Sequence, residues 1–396
     1  MTARRALFWV HLMLGVAAAG VVLVLSATGL LLVVQRPATS WAEREVRRLA
    51  GPRTEPLSIE RVLAGAQAGP LPGAPTQVTV FADRAEAPLL ALGRESVVYL
   101  DPASGRVMGP GSARARGFFH AVEDWHRWLA APGESRPTGR ALTGAATLAF
   151  VVLTLTGPAL WWPRRWVRAH LRPAFLFQRG LSGRARDFNW HNVLGIWSVA
   201  PLFLIALTGV VMAYPWANDL LFRVSGDVPP PRREGPPAGG GREDRKAPPS
   251  SLEGLDALWT RASAHVAGWR TISLRLPVPA QGPVTFTVDR GNGSRPDLRA
   301  QLTLDRRSGA VVRFEPYAVL TPGRRWRAWA RWTHTGEAGG PLGMAVAGLA
   351  CGGAVVLGVT GLTLAWRRGR AWAGRRAAAA EEPTPSDAPA PAGESV

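Results

Sequence analysis

Two apolar stretches of membrane length carry a histidine near their start: VHLMLGVAAAGVVLVLSATG from Val10 to Gly29, and FNWHNVLGIWSVAPLFLIALTG from Phe188 to Gly209. His11 and His191 are each followed four residues later by a glycine (Gly15, Gly195) and at the far end by a threonine–glycine pair (Thr28–Gly29, Thr208–Gly209). A neutral imidazole binds a transition metal through one ring nitrogen while the other needs a hydrogen-bond acceptor, so a repeated placement is a candidate ligand set. Three more histidines precede further apolar runs: His120 and His126 in FFHAVEDWHRWLA, and His334 in RWTHTGEAGG. His120 and His126 do not share a helical face, because the six positions between them turn a helix by about 240°. His126 is the preferred ligand and His120 the alternative. His170 and His265 are read as solvated or locally packed.

The rest of the composition narrows the chemistry. The one cysteine, Cys351, excludes an intrachain disulfide, a four-cysteine cluster and a Cys-x-x-Cys-His haem attachment. Acids beside the histidines (Glu123, Asp124, Glu337) are few and dispersed for a zinc site, and the apolar runs hold no Asp, Glu, Lys or Arg for a proton path. Histidines facing one another in a four-helix bundle suit b-type haem held through two axial imidazoles. Thr-Gly pairs in all four runs (Thr28–Gly29, Thr156–Gly157, Thr208–Gly209, Thr360–Gly361) leave room for a flat ligand or for close helix packing. For any one histidine taken alone, a place among lipid headgroups is the alternative.

Four helices are needed to position these residues. The uncharged runs Leu7–Val34, Leu142–Trp162, Val193–Trp216 and Leu342–Trp366 each hold roughly 20 or more residues, enough at 1.5 Å per residue to cross a hydrocarbon core of about 30 Å. The first run is too long for a cleaved signal sequence and reads as an anchor. Arginines cluster at Arg4 and Arg5, at Arg164 to Arg186, and at Arg367 to Arg376, which by the positive-inside rule places those segments and both termini in the cytoplasm. The formal charge of +19 is therefore largely topological, and nucleic-acid binding is set aside.

The plan is duplicated. His11 and His191 are 180 residues apart, whereas YLDPASGRV against LTLDRRSGAV, and LTLTGPALWWPRR against LGVTGLTLAWRRG, align at an offset of 204. The Pro/Gly-rich stretch at 228–250 accounts for the difference and reads as a disordered linker. The fold class is membrane α-helical: a four-transmembrane-helix bundle built from a duplicated unit, with two extracytoplasmic α+β domains. The first half is expected to comprise a transmembrane helix at 7–34, an outer domain at 35–118, a juxtamembrane helix at 119–137, a second transmembrane helix at 138–163 and a basic loop at 164–188. The second half comprises helix 189–216, outer domain 217–325, juxtamembrane segment 326–340, helix 341–366 and a disordered tail at 367–396. Within the outer domains, Leu57–Gln67 and Leu252–Val266 pattern as helices, and TQVTVFA, VVYLD, TISLRLPV, VTFTVD and AQLTLD as strands with Ser-Gly turns at 104–105 and 308–309. Breaks before the second and fourth spans are expected at Pro132, Pro137 and Gly139, and at Gly339, Gly340 and Pro341.

WHRWL, GPALWWPRRW, ARDFNWHNVLGIW, HTGEAGG and the repeated LDxxSGxV together resemble the PepSY-associated transmembrane proteins, often called iron-regulated membrane proteins, whose members include inner-membrane ferric-siderophore reductases. The resemblance covers nearly the whole chain except the linker and the tail. It implies two periplasmic PepSY-like domains and two b-type haems stacked across the membrane, the inner on His11 and His191 and the outer on His126 and His334. The expected activity is electron transfer from quinol or a separate donor to a ferric siderophore or other ferric chelate; no residue is assigned as catalytic. A haem-free PepSY sensor or protease regulator and an iron or siderophore transporter component are the rival classes. The spans lack the broken helices and intramembrane charges of a transporter.

Overall fold

The computed structural model describes residues 3–93, 96–163, 167–231 and 249–381. In chain order, α1 (Ala3–Val33) is continued by two short helices, α2 (Gln35–Ala42) and α3 (Arg44–Arg47). The first insert adds α4 (Ile59–Ala68) and strands β1 (Gln77–Phe81), β2 (Leu89–Leu92), β3 (Ser96–Leu100) and β4 (Val107–Pro110); α5 (Ala113–Trp128) then leads into α6 (Arg136–Trp161). After α7 (Arg168–Phe175) the plan repeats with α8 (Gly183–Ala213), α9 (Pro215–Val224) and α10 (Leu255–His265). Strands β5 (Thr271–Arg275), β6 (Val284–Asp289), β7 (Arg299–Leu304) and β8 (Val311–Pro316) follow, then α11 (Pro322–His334) and α12 (Gly340–Glu381).

The helices α1, α6, α8 and α12 are each long and apolar enough to cross a membrane, so the chain is a multi-pass membrane protein. They close a ring in which α1 and α8 each pack against both α6 and α12. Lipid supplies no hydrophobic force between helices, so the contacts rest on close approach of small side chains. Ala18, Val22 and Ala146 meet on one side, and Leu202, Ala350 and Ala354 on the other.

The sequence expectations need three adjustments. The tail expected to be disordered from 367 is helical as far as Glu381, because α12 continues through RRGRAWAGRRAAAAE, a run of strong helix formers; residues beyond 381 lie outside the described set, as does most of the 228–250 linker. The break before α6 runs over 129–135 and contains Pro132, one of the expected positions, but not Pro137 or Gly139. Leu129 and Ala130 take positive φ (54° and 57°), while Pro137 and Gly139 lie in the first turns of α6, where proline is tolerated. The juxtamembrane helix accordingly spans Ala113–Trp128 rather than 119–137. Before α12 the chain turns at Gly336 (φ 75°), where an added Cβ would meet the Gly343 carbonyl at 2.6 Å.

The two outer inserts do not stand apart. Their strands form one antiparallel sheet ordered β4-β3-β2-β1-β5-β6-β7-β8, joined at its centre where Thr79 pairs with Ser273. One face carries Val78, Leu90, Val98, Ile272, Leu274, Phe286 and Leu302, and packs on α4 and α10 in a single core. Those two helices cap each other: Asp256 accepts from the Ser58 hydroxyl (2.6 Å) and the Glu60 amide (3.0 Å), and Glu60 accepts from the Asp256 amide (3.0 Å). In each half the LDxxSGxV hairpin is held by its aspartate, Asp101 or Asp305, which accepts from the serine amide and hydroxyl three residues on.

Candidate functional site

Each of the four paired histidines is backed by a threonine–glycine pair on another helix. His11 on α1 has its Nδ1 2.7 Å from Thr156 Oγ1 on α6, and His126 on α5 reaches Thr28 on α1 at 2.8 Å. In the second half His191 on α8 lies 3.1 Å from Thr360 on α12. His334 on α11 lies 3.4 Å from Thr208 on α8 and 2.8 Å from the Ile205 carbonyl oxygen. The glycine after each threonine lets the ring close on the helix. A Cβ at Gly157, Gly29, Gly361 or Gly209 would stand 3.7, 3.6, 3.3 or 3.2 Å from the Cε1 of its histidine. Within each half the arrangement is reciprocal: the span's histidine meets the Thr-Gly of the next span, and the juxtamembrane histidine meets the Thr-Gly of the first.

Across the halves the histidines pair. His126 and His334 face each other at the sheet end, ring centroids 6.1 Å apart and planes 67° apart. Nδ1 of both rings is turned to the flanking helices, which leaves Nε2 as the nitrogen not engaged by them. At the arginine-rich end His11 and His191 line one cavity of about 500 Å³ with Gly15, Gly157, Gly195 and Gly361. The exposed Arg4, Arg184 and Arg368 also contribute to its wall. The 17 positions from His11 to Thr28 on α1 set the two cradles about 25 Å apart along that helix.

The helices that carry the outer pair are tied down. Glu43, 2% exposed, accepts from the Arg116 Nε and Nη2 (2.6 and 2.8 Å), the Tyr99 hydroxyl (2.9 Å) and the Ser112 amide (2.9 Å). This knot joins the α2–α3 junction, β3 and the start of α5. Burial by itself would raise the Glu43 carboxyl; the Arg116 hydrogen bond and charge, the Tyr99 hydroxyl and the Ser112 amide outweigh it and hold the group below its ordinary range. Helix α11 is fixed by Asp227 accepting from the Gly323 amide and by Asn218 accepting from Arg327 Nε at 2.9 Å. An Arg36–Glu337 ion pair at 2.9 Å lies close by, with the Arg36 guanidinium over the buried Trp332. Burial, with the neighbouring His334 second, pushes the His126 imidazole down to about 3, and burial lowers His334 as well. Burial thus favours the neutral form of both rings, the form that keeps a lone pair for a ligand.

The residues fit a haem. Two metal–nitrogen bonds of about 2.0–2.1 Å, each extended by about 1.2 Å to a ring centre, would separate two imidazole centroids by about 6.5 Å, close to the 6.1 Å between His126 and His334. Among the described residues no three His, Cys, Asp or Glu side chains gather to hold a bare ion. Two imidazoles at a site would suit a ligand that brings the remaining coordination itself, as a macrocycle does, and the arginines lining the inner cavity would suit ligand carboxylates.

The structure brings together His11 with His191 and His126 with His334, and sets His120 aside, its Nδ1 4.0 Å from Asp124 on its own helix. His265 packs edge-on against Phe314. Sequence reasoning read the Thr-Gly pairs as packing or space and missed the threonine hydroxyl as an imidazole partner. The signal was the order of the pair, threonine before glycine in all four spans. The PepSY-associated TM region family matches residues 8–368, and the chain belongs to that family. No curated protein matches the chain significantly.

Proposed function

We propose that this PepSY-associated TM protein holds one haem b in each cradle, between His11 and His191 and between His126 and His334. It passes electrons across a bacterial inner membrane to an external ferric siderophore or other ferric chelate. The observation that carries this reading is the pairing itself: four histidines, each backed by Thr-Gly, drawn two by two from opposite halves of the bundle, the outer two 6.1 Å apart.

Held by His11 with His191 and by His126 with His334, haem b would supply one-electron redox chemistry. The imidazoles hold and orient the group, and the apolar walls of α1, α6, α8 and α12 keep water from it. The two cradles, about 25 Å apart, cover most of a hydrocarbon core of about 30 Å. Arginine asymmetry puts His11, His191 and both termini on the cytoplasmic side and the sheet outside. The basic end carries no Gly-x-Gly-x-x-Gly following a strand, so the electrons come from quinol or from a separate donor protein. Outside, the chelated ferric ion takes one electron; the ferrous ion binds hard oxygen donors far more weakly and is released for uptake.

The test is a reduced-minus-oxidised optical spectrum with haem quantitation on the full-length protein in detergent. Two b-type haems per chain are expected, one surviving in His191→Ala, and the reduced protein should be reoxidised by a ferric hydroxamate. A folded but haem-free protein, after expression with added haem, would refute the reading and favour a haem-free sensor or membrane anchor.

A further inference from the structure

A threonine hydroxyl owns one proton, and behind all four histidines that proton is already committed. Thr28 donates to the Val24 carbonyl (2.6 Å), Thr156 to Val152 (2.8 Å), Thr208 to Leu204 (2.7 Å) and Thr360 to Val356 (2.7 Å), each one turn back on its own helix. The oxygen facing the histidine thus has only lone pairs to offer, and a short contact to Nδ1 requires the ring to carry its proton there. A neutral imidazole with Nδ1 protonated has its free lone pair on Nε2.

From this geometry we infer that Thr156 is a positioning residue for His11: its hydroxyl accepts from Nδ1–H, fixes the tautomer that presents Nε2 to the cavity, and sets how strongly that nitrogen donates to a metal. This deepens the di-haem reading and rests on it. The four histidine–threonine contacts are not equivalent in this respect. Thr156 is the hydrogen-bond partner of His11 at 2.7 Å, whereas His334 has the Ile205 carbonyl at 2.8 Å and Thr208 only at 3.4 Å. A carbonyl oxygen accepts and cannot donate, so it fixes the same tautomer without help from the threonine. Removing the hydroxyl therefore weakens ligation at His11 and leaves His334 held. An acceptor on Nδ1–H raises the basicity of the ligating nitrogen and favours the oxidised metal, so losing it moves the potential upward.

The experiment compares Thr156→Val, Thr156→Ser and Thr208→Val in the full-length haem-loaded protein by redox titration and low-temperature EPR. Thr156→Val should shift the midpoint of one haem upward, or convert that haem from six-coordinate low spin to high spin, with the other unchanged. Thr156→Ser should restore the wild-type midpoint, and Thr208→Val should match wild type at both haems. Equal effects of the two valine variants, or a two-haem Thr156→Val protein with unshifted midpoint and g values, would overturn the inference while leaving the haem reading intact. A wild-type protein without haem would remove the haem reading instead. Nitrogen-15 histidine spectra of that form would still decide the tautomer: Nδ1–H at His11 in wild type, lost from dominance in Thr156→Val, is expected, and Nε2–H in wild type refutes it.

Discussion

The glycines behind the histidines make a graded prediction. Carbon atoms pack at about 3.5–4.0 Å. An added Cβ at Gly209 would stand 3.2 Å from His334 Cε1 and 3.3 Å from Thr147 Cγ2, so Gly209→Ala demands a shift of a few tenths of an ångström. His334 cannot simply recede, because its Nδ1 is bound to Ile205 at 2.8 Å. At Gly157 the added Cβ would lie 3.7 Å from His11 Cε1, an ordinary contact, and Gly157→Ala requires no movement. Overpacking costs about 1–3 kcal/mol, and alanine in place of a helical glycine returns about 0.5–1 kcal/mol. The net for Gly209→Ala is up to about 2.5 kcal/mol, or up to about 60-fold weaker haem binding at the sheet-end cradle. Gly157→Ala should bind haem as wild type does and melt at an equal or higher temperature. The assay is haem titration of haem-depleted protein, with the two sites separated by using His126→Ala and His191→Ala backgrounds. Wild-type affinity in Gly209→Ala together with weakened binding in Gly157→Ala would refute the close-approach argument.

Two further expectations concern the scaffold. Glu43→Gln removes the charge from the Arg116 knot and should cost about 1–3 kcal/mol, read as a lower midpoint in thermal unfolding. Since the Glu43 carboxyl is held below its ordinary range, the knot contributes fully above that range and fades as pH falls through the lowered value; Glu43→Gln should therefore flatten the acid limb of the stability profile. At the arginine-rich end, Asn189 accepts from the Gln178 amide (3.0 Å) and donates to the Pro173 and Leu176 carbonyls (2.9 and 3.2 Å), pinning α7 to α8. Asn189→Leu should speed tryptic cleavage after Arg179 several-fold, and unchanged cleavage would show that other contacts hold the loop.

The four spans were legible because charge is absent from them and dense beside them, and the duplication because LDxxSGxV imposes a definite turn: Gly105 and Gly309 take φ of 74° and 66° beneath the aspartate-bound serines. Strands β2, β4 and β8 were not. LLAL shows no alternation, VMGP carries glycine and proline at a sheet edge, and VVRFEP is largely exposed on the opposite edge. The union of the inserts through β1 and β5 depends on pairing between residues such as Thr79 and Ser273, far apart in the chain, and no local pattern encodes it. The candidate ligands could be listed from sequence because spacing relative to the spans marks them. Which Thr-Gly backs which histidine could not, because it is decided by helix neighbours. His11 meets Thr156 on α6 rather than the Thr28 of its own helix.

That exchange of partners explains why a duplicated unit yields paired sites. Within one half, α1 brings His11 to α6 while α5 folds back to bring His126 to α1, so each half presents one histidine at either end of the bundle and neither half holds a facing pair. A facing pair arises only when α8 and α11 bring His191 and His334 from the second half to the same levels. The spans themselves touch where alanines such as Ala18, Ala146, Ala350 and Ala354 meet larger apolar side chains such as Phe150 and Leu202, contacts that in lipid carry little driving force. A ligand bridging one histidine from each half would therefore add cross-bundle links at both ends of the spans. On the outer side the shared sheet does the same through ordinary burial, its single core drawing on both inserts. The shared sheet fixes the relation between the halves that the 6.1 Å spacing of His126 and His334, carried on two separate juxtamembrane helices, requires, and such a ligand would fix it again within the bundle.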